Sequence, residues 1–207
     1  MNRVPETITQ PIVHIVDDDE AIRSSLSLLL YSVRLVSQTY DSALDFLARC
    51  DFSRPGCLIV DVRMPGMSGL DLQRELKTRG IQMPVIVLTA HGDIPMAVGA
   101  LKEGASNFLE KPYDDQHLID CVHHALEDGD RARRDQERIA VARSCFEQLT
   151  PRERQIAAMV ASGDPSKAIA ARLGISQRTV EVHRGNLMAK FHARSLSDLV
   201  RMMQLLE

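Results

Sequence analysis

Four acidic residues stand out by position. Asp17, Asp18 and Asp19 directly follow the apolar run Ile12–Val16, and Asp61 directly follows a second run, Leu58–Val60. Two further run ends carry different groups: Thr89 closes Pro84-Val-Ile-Val-Leu-Thr89, and Lys111 follows Asn107-Phe-Leu-Glu110. Carboxylates crowded at one place repel each other unless a cation joins them. A hard divalent ion such as Mg2+, which takes oxygen ligands, would resolve that repulsion. Acids, a hydroxyl, an ammonium and a metal ion together suit phosphoryl transfer: a carboxylate attacks while the cations neutralise the phosphoryl charge. Each residue alone has an ordinary reading as a turn, cap or strand-end residue. Their joint placement at successive run ends carries the argument.

They act together only if the chain brings those ends to one edge. Short β-rich runs at Ile12–Val16, Leu35–Tyr40, Leu58–Val60, Val85–Leu88 and Asn107–Leu109 alternate with helical patterns. The helical patterns are Glu20–Tyr31, Ser42–Arg49, Leu70–Thr78, Ile94–Lys102 and Asp115–Leu126. Asp41, Ser68 and Asp93 are placed to cap the second, third and fourth helices, with Pro95 tolerated in the first turn of the fourth. The first and third runs are almost wholly apolar, as strands covered on both faces are. Five successive βα pairs predict an α/β domain: a doubly wound, five-stranded parallel sheet whose strand ends open on a single edge.

The tail differs. From Leu149 onward no segment reads as a strand. Thr150-Pro-Arg-Glu153 has the form of a capping box with Pro at the first helical position. Ser166–Leu173 is a short amphipathic helix stopped by Gly174, Ser176 caps Gln177–Phe191, and Ser195 starts a fourth helix. Two helices joined by Leu173-Gly-Ile-Ser176 form a helix-turn-helix candidate. Residues 127–147 between the halves predict a helical linker, interrupted at Gly129-Asp130, with Glu127/Arg131 and Asp130/Arg134 at i,i+4 spacing. Its apolar seam Ile139, Ala142, Phe146, Leu149 suits either local packing or a dimer contact.

Charge divides along the same lines: −6 over residues 1–124, −1 over 125–147 and +4 over 148–207. An acidic half suits cations and a basic half suits polyanions. No run approaches the length of a membrane span, and Met1–Gln10 lacks the apolar core of a signal peptide, so a cytoplasmic location with no membrane partner is expected. Cys50, Cys57, Cys121 and Cys145 show neither C-x-x-C pairing nor zinc spacing, and read as reduced thiols.

Val13-His-Ile-Val-Asp-Asp-Asp-Glu20, Asp61-Val-Arg-Met-Pro-Gly-Met-Ser-Gly69, Leu88-Thr-Ala-His-Gly-Asp93 and Phe108-Leu-Glu-Lys-Pro112 resemble the motifs of response-regulator receiver domains. The resemblance spans about residues 11–126 and implies a flavodoxin-like fold. It implies that Asp61 is the phospho-acceptor, that Thr89 bonds the phosphoryl group and that Lys111 pairs with it. Asp18, Asp61 and the Arg63 backbone carbonyl would hold Mg2+, with Asp17 assisting through water. Phe108 matches the switch aromatic. Asp19 matches no catalytic position and is expected to start a helix. Arg63 and His91 fall where the family tunes phosphate lifetime, and Arg63 would shield the acyl phosphate.

Leu149-Thr-Pro-Arg-Glu-Arg-Gln155, Lys167-Ala-Ile-Ala-Ala-Arg-Leu-Gly-Ile-Ser176, Arg178-Thr-Val-Glu-Val-His-Arg184 and Met188-Ala-Lys190 resemble the LuxR-type output domain of such regulators, here of the FixJ-like subgroup. A DNA-binding domain over 148–207 follows, with Gln177–Phe191 as recognition helix. Val180 and Leu187 would face the core, and Glu181, Val182 and Gly185 the base edges. Lys167, Arg178, Thr179, His183, Arg184 and Lys190 are expected at phosphates. The resemblance implies a sensor histidine kinase, double-stranded DNA and RNA polymerase as partners, and a homodimer once phosphorylated. Two rivals belong to other classes. One is a receiver whose tail docks only proteins. The other is a phosphatase of the haloacid-dehalogenase type, which needs a second Asp two residues after the nucleophile, where this chain has Arg63.

Overall fold

The computed structural model describes residues 10–90 and 94–206. It divides into two compact units, with the boundary between Arg133 and Arg134. The first unit is a five-stranded sheet in the order β2-β1-β3-β4-β5, and every pairing is parallel. The strands are β1 (Ile12–Val16), β2 (Val36–Tyr40), β3 (Gly56–Asp61), β4 (Val85–Thr89) and β5 (Asn107–Glu110). Between them run α1 (Glu20–Ser32), α2 (Ala43–Arg49), α3 (Gly69–Thr78) and α4 (Ile94–Lys102), and α5 (Asp115–Glu147) follows. The expected doubly wound α/β fold is thus present, with most element ends moved by a residue or two and α5 running on past Leu126 to Glu147.

Helices cover both faces, which explains the apolar runs. On one face Val16, Val60 and Val87 pack with Phe46, Leu72, Leu76 and Ala100. On the other, Ile15, Ile59 and Leu88 pack with Leu26, Leu30, Leu118 and Val122. Each such Leu or Ile contributes roughly 2 kcal/mol by leaving water. The edge strand β2 is only partly covered and is correspondingly more polar.

Most helix starts follow the side chains read as caps. Ser68 accepts from Asp71 N, and Asp19 accepts from Ala21 N at the start of α1. One expectation is corrected. Ser42, rather than Asp41, caps α2, because its hydroxyl accepts from Asp45 N while Asp41 accepts from the Ser42 hydroxyl. Asp93 lies outside the described residues.

The expected break at Gly129 does not occur: α5 continues through it to Glu147. Gly129 serves a close approach, since a Cβ there would meet Pro84 Cγ at 2.9 Å. Along this helix Arg131 pairs with Asp128 and Arg133 with Asp130, at i,i+3 spacing.

The second unit is helical: the end of α5, then α6 (Pro151–Ala161), α7 (Ser166–Leu173), α8 (Gln177–Lys190) and α9 (Leu196–Gln204). Its core joins Cys145 and Leu149 to Ile156, Val160, Ile169, Val180, Leu187, Phe191 and Leu199, with Phe146 packed against it. The last turns of the linker seam therefore pack locally. The Thr150–Glu153 capping box forms as read, and Gly174 ends α7 at φ +65°, a left-handed conformation that glycine reaches without a Cβ clash.

Candidate functional site

Parallel register places the acids. Val16 stands opposite both Tyr40 and Val60, so the strand order reverses at β1, and the carboxyl ends of β1 and β3 open side by side. Ligand crevices form at such switch points. Asp17 leaves the end of β1 and Asp61 ends β3, and both are buried. Lys111, just past β5, reaches across to both: its Nζ lies 2.8 Å from Asp17 Oδ2 and 2.7 Å from Asp61 Oδ1. The other Asp61 oxygen accepts from Arg63 N at 2.6 Å. Asp17 Oδ1 accepts from Asp19 N at 2.9 Å.

Thr89 is buried at the end of β4, and its carbonyl accepts from Lys111 N at 2.7 Å, tying the hydroxyl-bearing strand end to the ammonium-bearing one. Phe108 is half-buried and packs against the core on the α3–α4 face. Asp18 and the Arg63 side chain are exposed at the rim. His91 lies outside the described residues. Asp17, Asp61, Thr89 and Lys111 are therefore brought together as read from the sequence.

Burial works against charge on Lys111, but hydrogen bonds and charges from Asp17 and Asp61 outweigh it and raise its pKa above the ordinary 10.5. The ammonium therefore stays charged at neutral pH. One ammonium against two buried carboxylates leaves a net negative charge, which Asp18 at the rim increases. Among the described residues no group of three or more His, Cys, Asp and Glu side chains is already gathered as a metal cage. The candidate donors that the chain supplies around this edge are nonetheless oxygens: the buried carboxylates of Asp17 and Asp61, with Asp18 next to the one in the chain and the Arg63 carbonyl two residues past the other, beside an uncompensated charge. That set fits Mg2+.

Two supporting residues escaped the sequence reading. Arg23 Nη1 donates to the Asp17 carbonyl at 2.7 Å and steadies the turn that carries the acids. Gly69 lies under Asp61: a Cβ there would collide with the Asp61 carbonyl oxygen, while Gly69 N donates to Val62 O at 3.1 Å. The second Gly of Pro-Gly-Met-Ser-Gly69 was the available signal for that close approach.

In the helical unit, Val180 and Leu187 are fully buried, so α8 turns its other side outward. Glu181, Val182 and Gly185 are exposed there, Val182 at 58% despite being apolar. Lys167, Arg178 and Thr179 are exposed as well. Thr179 also belongs to the helix start, with its N donating to Ser176 Oγ at 3.0 Å. His183 and Arg184 are half-buried, and Arg184 Nη1 donates to the buried Ser166 Oγ at 2.7 Å, fixing α8 against α7. Lys190 is engaged inside the unit. Its Nζ lies 2.6 Å from Glu153 Oε2 and 3.1 Å from Gln148 O, so the structure gives this expected phosphate contact a structural job. Arg152, which the sequence reading passed over, donates from Nη2 to Leu173 O at 3.0 Å and satisfies the end of α7 just before the turn.

Comparisons with known proteins agree with both halves. Residues 13–123 match the response regulator receiver domain family, and residues 147–203 match the bacterial regulatory proteins of the luxR family. The chain is 46% identical to nodulation protein W of Bradyrhizobium diazoefficiens, over 97% of this chain and 88% of that protein. It is 47% identical to the transcriptional regulatory protein FixJ of Azorhizobium caulinodans, over 96% and 93%. The solved structure of the response regulator StyR superposes with a TM-score of 0.81 at 41% identity, covering 94% of this chain and 98% of that one. With a receiver joined to a LuxR-type domain, and with relatives named as transcriptional regulatory proteins, the chain belongs to the response regulators of two-component systems.

Proposed function

We propose that Asp61 accepts a phosphoryl group from a sensor histidine kinase or a small phosphodonor, and that this switches the chain to a homodimer that binds promoter DNA. The observation that carries the reading is the Lys111 ammonium bridging Asp17 and Asp61 at 2.8 and 2.7 Å beside buried Thr89. In the free protein this ammonium partly neutralises the acceptor. During transfer it follows charge onto the phosphoryl oxygens, where a positioned cation lowers the barrier. Asp17, Asp18, Asp61 and the Arg63 carbonyl would hold Mg2+, which supplies the remaining positive charge for the transfer. Arg63, exposed at the rim, shields the acyl phosphate from water.

Once the phosphoryl group is on Asp61, the Thr89 hydroxyl turns toward it and Phe108 moves into the space released. The face altered runs from Ile94 to Leu109. It already exposes Ile94, Val98 and Leu101, an apolar stripe suited to pairing. Two paired chains present two α8 helices to successive half-sites, and joining them raises affinity through effective concentration. On the DNA, Glu181, Val182 and Gly185 face bases, while Lys167, Arg178 and Thr179 face phosphates, with His183 and Arg184 behind them. RNA polymerase is the further partner of a promoter-bound regulator. None of the described helices is long and apolar enough to cross a membrane, and a cytoplasmic site of action suits this reading.

The test is donor treatment with Mg2+, read by intact mass, by oligomeric state and by footprinting on genomic fragments. Mass gain, pairing and protection of discrete sites should appear together and vanish in Asp61→Ala. Mass gain that persists in Asp61→Ala, or pairing and site protection that ignore the donor, would refute the proposal.

A further inference from the structure

Gln73, on α3, is a buried polar residue that the acidic pocket does not use. Its Nε2 donates to Ala100 O of α4 at 3.1 Å. Its Oε1 is buried with no hydrogen-bond partner among the described residues. The same Ala100 carbonyl accepts from Ala105 N at 3.0 Å, where α4 ends. Next along α3, Arg74 Nε meets Glu103 Oε2 at 2.9 Å, and Lys77 Nζ reaches Glu103 O at 3.3 Å. Three side chains of one helix therefore grip the same end of its neighbour.

They are not equal. Arg74 and Glu103 are about half exposed, and such pairs contribute little. The Lys77 bond is long. The Gln73 bond is buried and fixed in direction, which makes it the anchor. Turning the amide to donate to Ala100 leaves its oxygen buried and unbonded, an arrangement that costs stability. An apolar side chain of similar size would avoid that cost but could not hold the Ala100 carbonyl.

We infer that Gln73, assisted by Arg74 and Lys77, clamps the C-terminal end of α4 to α3, so that α4 responds to phosphorylation by swinging its Ile94 end about a pivot at Ala100–Ala105. What drives the swing rests on the function proposed above; the clamp itself does not. Ile94, Val98 and Leu101 fall on one exposed face, at 81%, 43% and 48% exposure. Ile94 lies about 10 Å along the axis from Leu101, at a rise of about 1.5 Å per residue. A swing about the far end displaces Ile94 most and Leu101 least. The pairing surface is then remade at one end only, and Gln73 is a positioning residue that decides which end.

Amide hydrogen exchange on the full chain tests this. Glu103, Gly104 and Ala105 donate to Gly99, Leu101 and Ala100 carbonyls and report the pivot. Val98 and Gly99 report the other half of α4. Without donor, Gln73→Met should speed exchange at Glu103–Ala105 about tenfold, the worth of one buried hydrogen bond, and leave Val98 and Gly99 within about twofold. With acetyl phosphate and Mg2+, wild type should change at Val98 and Gly99 and hold at Glu103–Ala105, whereas Gln73→Met should change at both. Unchanged exchange at Glu103–Ala105 in donor-free Gln73→Met, or a wild-type response spread evenly along α4, overturns the inference. If donor adds no mass at Asp61, the phosphorylation reading fails, and the donor-free comparison still decides the clamp. Should Gln73→Met not fold, the exposed double variant Arg74→Ala/Lys77→Ala takes its place: it should leave Glu103–Ala105 within about twofold of wild type, and a rise of about tenfold there would move the anchor from Gln73 to the surface pairs and overturn the inference.

Discussion

Lys111 Nζ lies 2.7 Å from Asp61 Oδ1, although the two are 50 residues apart in the chain. β3, β4 and β5 are adjacent and parallel, so the ends that carry them share an edge. Lys111 is also the nearest countercharge of Asp17. Lys111→Met should therefore leave two buried carboxylates facing each other and destabilise the first unit by about 3 kcal/mol in EDTA, since an uncompensated buried charge costs that much. Asp61→Asn should act in the opposite direction and raise stability. Mg2+ should recover much of the Lys111→Met loss, because a ligand that binds only the folded state stabilises it. Urea unfolding with EDTA and with Mg2+ measures all three. Equal midpoints for wild type and Lys111→Met in EDTA would show that the ammonium carries no such role.

His14 gives the first unit an acid limit. Burial, aided by the nearby Arg54 charge, pushes its pKa down from 6.5 to about 4. The neutral ring meets the Tyr40 hydroxyl at 3.1 Å and lies against Phe46. The unfolded chain takes up a proton near pH 6.5 that the folded chain refuses until about pH 4. Stability should therefore be complete above pH 6.5 and fall as pH drops toward 4, by on the order of 2 kcal/mol from this residue. Unfolding midpoints between pH 7 and 4 should slope less in His14→Leu than in wild type, and parallel curves would contradict the assignment.

Glu153 does the same for the helical unit by another route. Hydrogen bonds from Lys190 and from the Thr150 backbone hold its carboxyl down from 4.5 to about 2. Its contribution is complete above pH 4.5 and is lost as pH falls toward 2. Glu153→Gln should cost about 1–3 kcal/mol at neutral pH and converge with wild type near pH 2. Thermal melts of the helical unit against pH check this, and a constant gap across the range would exclude the ionic origin.

The two kinds of DNA contact should separate under salt. Arg178→Ala should weaken binding to every fragment alike and reduce the salt slope by about one. Glu181→Ala should leave the slope nearly unchanged and relax preference at one base pair, worth about 1–3 kcal/mol. Lys190→Met should lower the melting point of the helical unit and leave the salt slope of the remaining folded protein unchanged. A slope reduced by one in Lys190→Met would return that residue to the phosphate contacts.

What the chain shows in one dimension is local: the period of its apolar residues, the strand-end positions of its acids, and the hydroxyl or carboxylate that starts each helix. Those features act within a few residues, and so β1, α4, the Thr150–Glu153 box and the Ser176 cap stand where spacing puts them. The motif resemblance implies roles for Asp61, Thr89 and Lys111, and strand order makes the three neighbours. Partners far apart in the chain were decided only by packing. Lys190 reads as a phosphate contact until α6 brings Glu153 beneath it. Gly129 reads as a helix break until Pro84 is seen against it. Gln73 gains its role only because α4 lies across it. A long side chain or a glycine takes its meaning from whatever the fold presses against it, and no spacing along the chain encodes that.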